Sequence, residues 1–408
     1  MNPVSEEHET ERARGPLTGL RVVELGQLIA GPFCGQLLGD YGADVIKVEE
    51  PTNGDPMRRW GYAEEDHGPV HWSVLGRNKR SFACDLRKPE GQELVRKLIG
   101  TADIVVENFR PGTMERWGLD YESLSADNPG LIMVRVTGFG QDGPYSSRPG
   151  YGSIGEAMGG LRHLLGEPDR PPSRAGVSIG DSLAGTLAAL GVVAAVVERS
   201  SSGRGQVIDC ALYEAVLSMM ESLVSDFATF GHVRERTGAV LPGVAPSNVY
   251  PTEDGADVLI AANQDTVFRR LCAAMGREDL VEDRRFATHQ ARGKRQDELD
   301  KLISDWSASL SLSALQQRLE EHAVPMGLIY RAPEMLDDPH FRARESIVEV
   351  PTDGRPLPMQ GVFPRFSRTP GAIRWSGPLL GASTADVLDE LGIDTDERSE
   401  LRQRGVIT

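Results

Sequence analysis

Apolar positions switch repeatedly between two periods along the first half of this chain. Residues 21–25 (RVVEL) form a short β-branched run, which reads as a strand. A Gly31-Pro32 break follows, and residues 33–42 carry a helical period that ends at Gly42. Residues 44–49 (DVIKVE) and 81–86 (SFACDL) read as further strands. Pro89 opens a helix whose apolar face is Leu94, Val95, Leu98 and Ile99, stopped by Gly100. Residues 104–107 and 131–137 are strand-like again. Strand, helix and strand in this order predict parallel pairing through right-handed crossovers, and so an open α/β sheet.

The next stretch, 138–180, is rich in proline and has no strong period. Such a long irregular segment is usually functional. Residues 181–199 are strongly helical, 207–211 strand-like and 213–230 helical. Composition then shifts. A strand at 257–262 precedes three amphipathic helices, 267–276, 296–307 and 313–322, which suggests a smaller second domain. After Val324 the chain is strand- and proline-rich, and it ends in helical patterns at 384–391 and 397–404.

With 408 residues, two domains are the natural expectation. The formal net charge is −16, which repels phosphate backbones and argues against nucleic acid as a partner. It leaves room for an anionic ligand held by a few local arginines. The four cysteines, Cys34, Cys84, Cys210 and Cys272, are scattered without CxxC spacing, consistent with a reducing cytoplasm. Residues 1–15 are polar and acidic and read as a disordered tail, not a secretory signal. The longest apolar stretch, 183–197, is short for a bilayer and reads as a buried core helix, so no membrane is expected.

Several motifs bear on chemistry. Gly138-Phe-Gly140-Gln-Asp-Gly143 matches GxGxxG, but Pro144 follows where a pyrophosphate-binding helix has to open. A loop is expected there. His67 and His71 have helical spacing, but Gly68 and Pro69 stand between them, so no metal site is expected. No GxSxG occurs. Asp181, in Ser178-Ile-Gly-Asp-Ser182, begins an Ala/Gly/Leu-rich helix. An Asp at a helix start is most often an N-cap. That position also favours an ionised carboxylate, which is what a nucleophile needs. Arg87, Arg110 and Arg116 lie at or just beyond the carboxyl ends of expected strands, the edge where open α/β sheets bind ligands. Taken alone, each is by default a solvated surface residue.

A long ordered series of segments goes further than any one motif. PLTGLRVVEL, IAGPFCGQLLGDYGADVIKVE, RNKRSFACDLRKPEG, ADIVVENFRPGTMERWGLDYESL, TGFGQDGPY, SIGDSLAG, GRGQVIDCALYEAV, DDPHF and PLLGASTADVLDELG resemble family III CoA-transferases, with the α-methylacyl-CoA racemases as relatives. The match spans nearly the whole chain after the tail. It implies an α/β fold with a large Rossmann-like domain, whose sheet is open and mostly parallel, and a smaller α+β domain. The implied division is 16–225 with 325–408 for the large domain and 226–324 for the small one. It also implies an interlocked homodimer.

The resemblance implies a catalytic Asp, at Asp181 here, that attacks an acyl-CoA thioester to give an aspartyl mixed anhydride and CoA thiolate. CoA is then returned to an acceptor acid. Coenzyme A and its thioesters are substrates, with no permanent cofactor. Ile29, Ala30, Asn108, Phe109 and Arg110 match positions along the CoA channel, and Arg87 and Arg116 match basic positions near the phosphates and adenine. Three departures stand out. Glu50 replaces an Arg of some transferases, so adenine recognition must differ. No clear equivalent exists of the glycine-rich loop beside formyl-CoA. Ser383 replaces the usual His of the C-terminal pattern.

Racemase relatives carry a His where this chain has Tyr151. A Tyr, with an unperturbed pKa of about 10, carries protons poorly at neutral pH, so transferase chemistry is expected over racemisation or non-catalytic CoA binding. The stretch from Gly150 to Gly185 resembles enzymes that use short dicarboxylates. Arg148 or Arg174 then becomes the expected partner of a distal carboxylate, with Tyr151 nearby.

Overall fold

The computed structural model describes residues 15–64, 68–352 and 354–408. The tail reading therefore lies almost wholly outside the described residues, as does His67; His71 opens a short helix, His71–Leu75. The chain divides into two compact units, one of residues 1–162, 175–223 and 342–408, the other of 163–174 and 224–341.

The larger unit is built on strands β1 (Arg21–Glu24), β2 (Asp44–Glu49), β3 (Lys79–Ala83), β4 (Ile104–Glu107), β5 (Ile132–Thr137) and β6 (Val207–Ala211). All pairings are parallel, and the spatial order is β3-β2-β1-β4-β5-β6. That order belongs to dinucleotide-binding folds, and it reverses direction between β1 and β4. The central strands β1, β4 and β5 are mostly apolar and almost wholly buried, because helices cover both faces. Alternate residues separate cleanly. Val23, Ile46, Val105 and Met133 face one core, while Val22, Val45, Ile104 and Ile132 face the other.

The helices that matter to the site are α1 (Ala30–Asp40), α2 (Pro89–Ile99), α3 (Gly152–Met158), α4 (Ile179–Ser202) and α5 (Leu212–Leu217). The helix expected from Phe33 begins three residues earlier. Gly31 and Pro32 fall within its first turn, where a missing N–H costs no hydrogen bond. α3 was hidden in the expected loop by its glycines, which lower helix propensity. They serve packing: a Cβ on Gly155 would sit 2.8 Å from Leu212 Cβ, and one on Gly159 2.7 Å from Tyr213 O. The stretch 183–197 of α4 was expected to be a buried core helix. Only one face is buried: Ala184, Ala188, Val192 and Ala195 pack into the core, whereas Leu190 is 62% and Val197 64% exposed. Its length and hydropathy alone would suit a membrane span. The helix expected over 213–230 breaks near Glu221, which has φ 51°, into α5 and Leu223–Phe230.

The smaller unit has an antiparallel sheet of β7 (Ser247–Pro251), β8 (Asp257–Ala261) and β9 (Met326–Leu328). Helices α6 (Asp265–Met275), α7 (Gln296–Ser307) and α8 (Leu312–Glu321) bury Phe268, Leu271, Ile303 and Leu315 with Tyr250 and Ile260. Because β9 completes this sheet, the chain stays in the small unit to residue 341, not 324. It then forms the hairpin β10 (Ile347–Val350) and β11 (Leu357–Gln360) and helix α9 (Thr384–Glu390). Ser383 flanks α9, and its N–H donates to Ser81 O at 2.9 Å, tying the C-terminal segment to β3.

Candidate active site

The carboxyl ends of β1, β4 and β5 open into a cavity of about 360 Å³ at the point where strand order reverses. Open α/β sheets bind ligands at this place. Of the residues singled out in the sequence, Ile29, Ala30, Asn108, Phe109, Arg110, Arg148, Tyr151 and Asp181 all line it.

Each wall has a local cause. After β1 the chain turns through Gly26–Ile29 into α1. Asn108 holds this turn from β4: its Oδ1 accepts the Gln27 N–H at 2.7 Å and its Nδ2 donates to Gln27 O at 2.8 Å. A Cβ on Gly26 would approach Asn108 Oδ1 to 3.0 Å, so a larger residue there would crowd the clamp. Ile29 precedes α1 with no side-chain cap, which leaves first-turn N–H groups for a ligand. After β4, the Phe109 N–H donates to Glu107 Oε2 at 2.7 Å, and the Phe109 ring meets Trp117 edge-on at 5.0 Å. After β5, no helix opens at Gly138-Phe-Gly; the chain turns until α3 begins at Gly152. Arg148 lies 3.7 Å over the Tyr145 ring.

Asp181 is not an N-cap. Ser178 holds that position, and Asp181 lies in the first turn of α4, where the helix dipole still favours its charge. Its carboxylate packs against Gly152: a Cβ there would sit 2.2 Å from Asp181 Oδ2. Behind this turn lies Glu156, fully buried, with Oε2 2.6 Å from Arg162 Nη2. Among the described residues, Asp181 is the only acidic one in the cavity wall. Arg110 and Arg148, in the same wall, have no carboxylate within ion-pair distance among the described residues.

A second hollow of about 180 Å³ shares Gln27 and Phe109 with the first and ends at Arg87. Arg87 is 69% exposed and pairs with Asp85 at 2.8 Å and Glu50 at 3.2 Å. Glu50, the departure noted in the sequence, is thus the partner of the neighbouring cation. Arg116 lies outside both hollows, with Nη2 bonded to Thr113 Oγ1 at 2.8 Å. Arg174 belongs to the smaller unit. Gln27, Leu28, Ser146 and Gly152 were missed. The glycine density around Gly152 was a usable signal of close approach; the others had none.

Fold and cleft together define an α/β protein with an open cavity at its switch point, the place where such sheets take ligands. The sequence pattern of CoA-transferase family III matches residues 17–384, and the chain belongs to that family. It is 54% identical, over 98% of this chain and 100% of the other, to a Chloroflexus aurantiacus protein named succinyl-CoA–D-citramalate CoA-transferase. It is 39% identical, over 94% of this chain and 97% of the other, to the succinate–glutarate CoA-transferase of Agrobacterium fabrum. The crystal structure of a CAIB/BAIF family protein from Brucella suis superposes with a TM-score of 0.82 at 36% identity, covering 93% of this chain and 100% of that one. The family expected from the sequence, and its enzyme class, are thereby borne out.

Proposed function

We propose that the protein moves CoA between succinyl-CoA, or a similar short dicarboxyl-CoA, and a dicarboxylate acceptor of four or five carbons, with Asp181 carrying the acyl group. One observation carries this reading: the Asp181 carboxylate shares the switch-point cavity with Arg110 and Arg148, neither of which has an acidic partner among the described residues. The names of the Chloroflexus and Agrobacterium relatives support the substrate class.

The chemistry follows from these groups. Asp181 attacks the thioester carbonyl; its oxygen bonds to the acyl carbon and the C–S bond breaks, releasing CoA thiolate. The mixed anhydride keeps the acyl group activated. The acceptor carboxylate displaces the donor acid at the aspartyl carbonyl. CoA thiolate then attacks the acceptor acyl carbon and frees Asp181. Each addition develops an oxyanion that preorganised N–H groups must meet, and the uncapped first turn of α1, whose Ala30 lines the same cavity, supplies them. Arg110 serves the CoA phosphates. Arg148, a planar fork suited to carboxylates, holds the far end of the dicarboxylate.

The enzyme works as a homodimer in this reading, supported by the exposed apolar face of α4. Four buried, unpaired cysteines support a cytoplasmic location. Trapping with hydroxylamine after incubation with succinyl-CoA tests the core of the proposal. A hydroxamate on Asp181, absent in Asp181→Asn, is expected. Exchange of the α-proton with heavy water without any trapping would instead establish racemase chemistry, and transfer to no dicarboxylate would sink the substrate assignment.

A further inference from the structure

The turn from β1 to α1 passes through a conformation that leucine rarely adopts: Leu28 has φ 63°. Outliers of this kind persist only where their surroundings over-determine them, and they gather at functional sites. Around Leu28 the surroundings do so. Lys47 donates its Nζ to Gly26 O, Asn108 clamps both polar groups of Gln27, and Asp55 Oδ1 accepts the Leu28 N–H at 3.2 Å and the Met57 N–H at 2.9 Å. Asp55 Oδ2 faces Lys47 Nζ at 3.0 Å. Lys47 also pairs with Glu24 at 3.2 Å, and Glu24 with Lys79 at 2.9 Å. All four charged groups are buried.

Buried ion groups of this sort are poor stabilisers compared with apolar residues of the same volume. Their position beneath the cavity wall suggests another use. We propose that Asp55, backed by Lys47, is a positioning residue that locks Leu28 in its left-handed conformation and so preforms the backbone from Gly26 to Ala30 against which CoA lies. This rests on reading the switch-point cavity as the CoA site. Gln27, Leu28, Ile29 and Ala30 all line that cavity, so the conformation of Leu28 decides where the following N–H groups point. Burial alone would raise the Asp55 carboxyl; Lys47 and the N–H groups of Met57 and Leu28 outweigh it and hold it below the usual range. Asp55 therefore accepts the Leu28 N–H as a full charge at neutral pH.

The test uses free CoA as the ligand, with Asp55→Asn, Leu28→Gly and the double variant. Asp55→Asn keeps the shape and removes the charge. It is expected to weaken CoA binding about tenfold, because part of the population leaves the competent conformation. Glycine adopts a positive φ without strain, so Leu28→Gly is expected to recover much of that loss in the double variant. A purely structural role for Asp55 predicts the opposite: the two losses multiply. Multiplying losses, or wild-type affinity in Asp55→Asn, overturn the proposal. Should Asp55→Asn fail to fold, hydrogen exchange on the unaltered enzyme decides. Slow exchange at Gln27–Ala30 before CoA is added supports a preformed wall. Fast exchange that slows only with CoA overturns it while leaving the site reading intact. No protection anywhere along the cavity overturns both.

Discussion

Gly152 lies against the Asp181 carboxylate, and the size of residue 152 is the sharpest handle on it. A Cβ at 152 would stand 2.2 Å from Asp181 Oδ2, so Gly152→Ala must push the carboxylate aside or shift α3. Overpacking of this kind costs about 1–3 kcal/mol. The expected result is a fall in kcat of about 100-fold or more with little change in CoA affinity, read by steady-state kinetics alongside CoA titration. A second residue-scale outcome concerns Arg148. Removing a charge-assisted partner costs about 1.5–3 kcal/mol. Arg148→Ala should therefore raise KM for a dicarboxylate acceptor about 10- to 100-fold, and leave a monocarboxylate acceptor of equal length almost untouched. Equal losses on both acceptors would show that Arg148 does not read the distal carboxylate. At this scale the sequence was legible where chemistry left a residue type behind. Asp181, Arg110 and Arg148 could be named in advance. Leu28 could not, because its positive φ is imposed by Asp55, Lys47 and Asn108 from 27, 19 and 80 positions away, and nothing in a leucine announces it.

Elements carry a different set of constraints, visible at the end of β4. Glu107 closes that strand, accepts the Phe109 N–H at 2.7 Å and bonds Arg135 on β5 at 2.8 Å. Burial pushes its carboxyl up from 4.5 to about 7, against the pull of Arg135. The folded state then holds a proton that the unfolded chain has already lost, so stability falls as pH rises through the window from 4.5 to about 7. Glu107→Gln removes this titration and keeps an acceptor for the Phe109 N–H. Urea midpoints measured across the window should decline with pH in the parent enzyme and be flatter in the variant; identical slopes would remove Glu107 as the source. The strand itself was plain in the sequence, since IVVE is a short β-branched run between a helix and a turn that carries Pro111-Gly112. α3 was not, because four glycines between 152 and 160 depress helix propensity while permitting the approach to α5 and Asp181. The same trade hides the closeness of α4 to α1, where a Cβ on Gly185 would meet Ala30 O at 2.7 Å.

At the scale of the whole molecule, the unexplained feature is the outer face of α4. Leu190, Val193 and Val197 follow one another at about one helical turn along it and are exposed in the single chain. An apolar stripe on an otherwise acidic protein of net charge −16 marks an interaction surface. The sequence showed only that this helix is apolar on every side, which suits a helix buried all round equally well; the fold is what leaves one side uncovered. A second copy of the chain is the occupant that the homodimer reading requires, and placing a carboxylate on each facing stripe brings like charges together without touching the inner face that packs on α1. Leu190→Asp combined with Val197→Asp is therefore expected to move the protein from dimer to monomer in sedimentation equilibrium. A like-charged pair in a desolvated interface costs several kcal/mol, enough to weaken association by roughly a thousandfold. Far-ultraviolet circular dichroism should stay that of the parent, since the sheet and α1 keep their contacts. A parent enzyme that sediments as a monomer, or a variant that remains a dimer, would mean that α4 meets something other than its own copy.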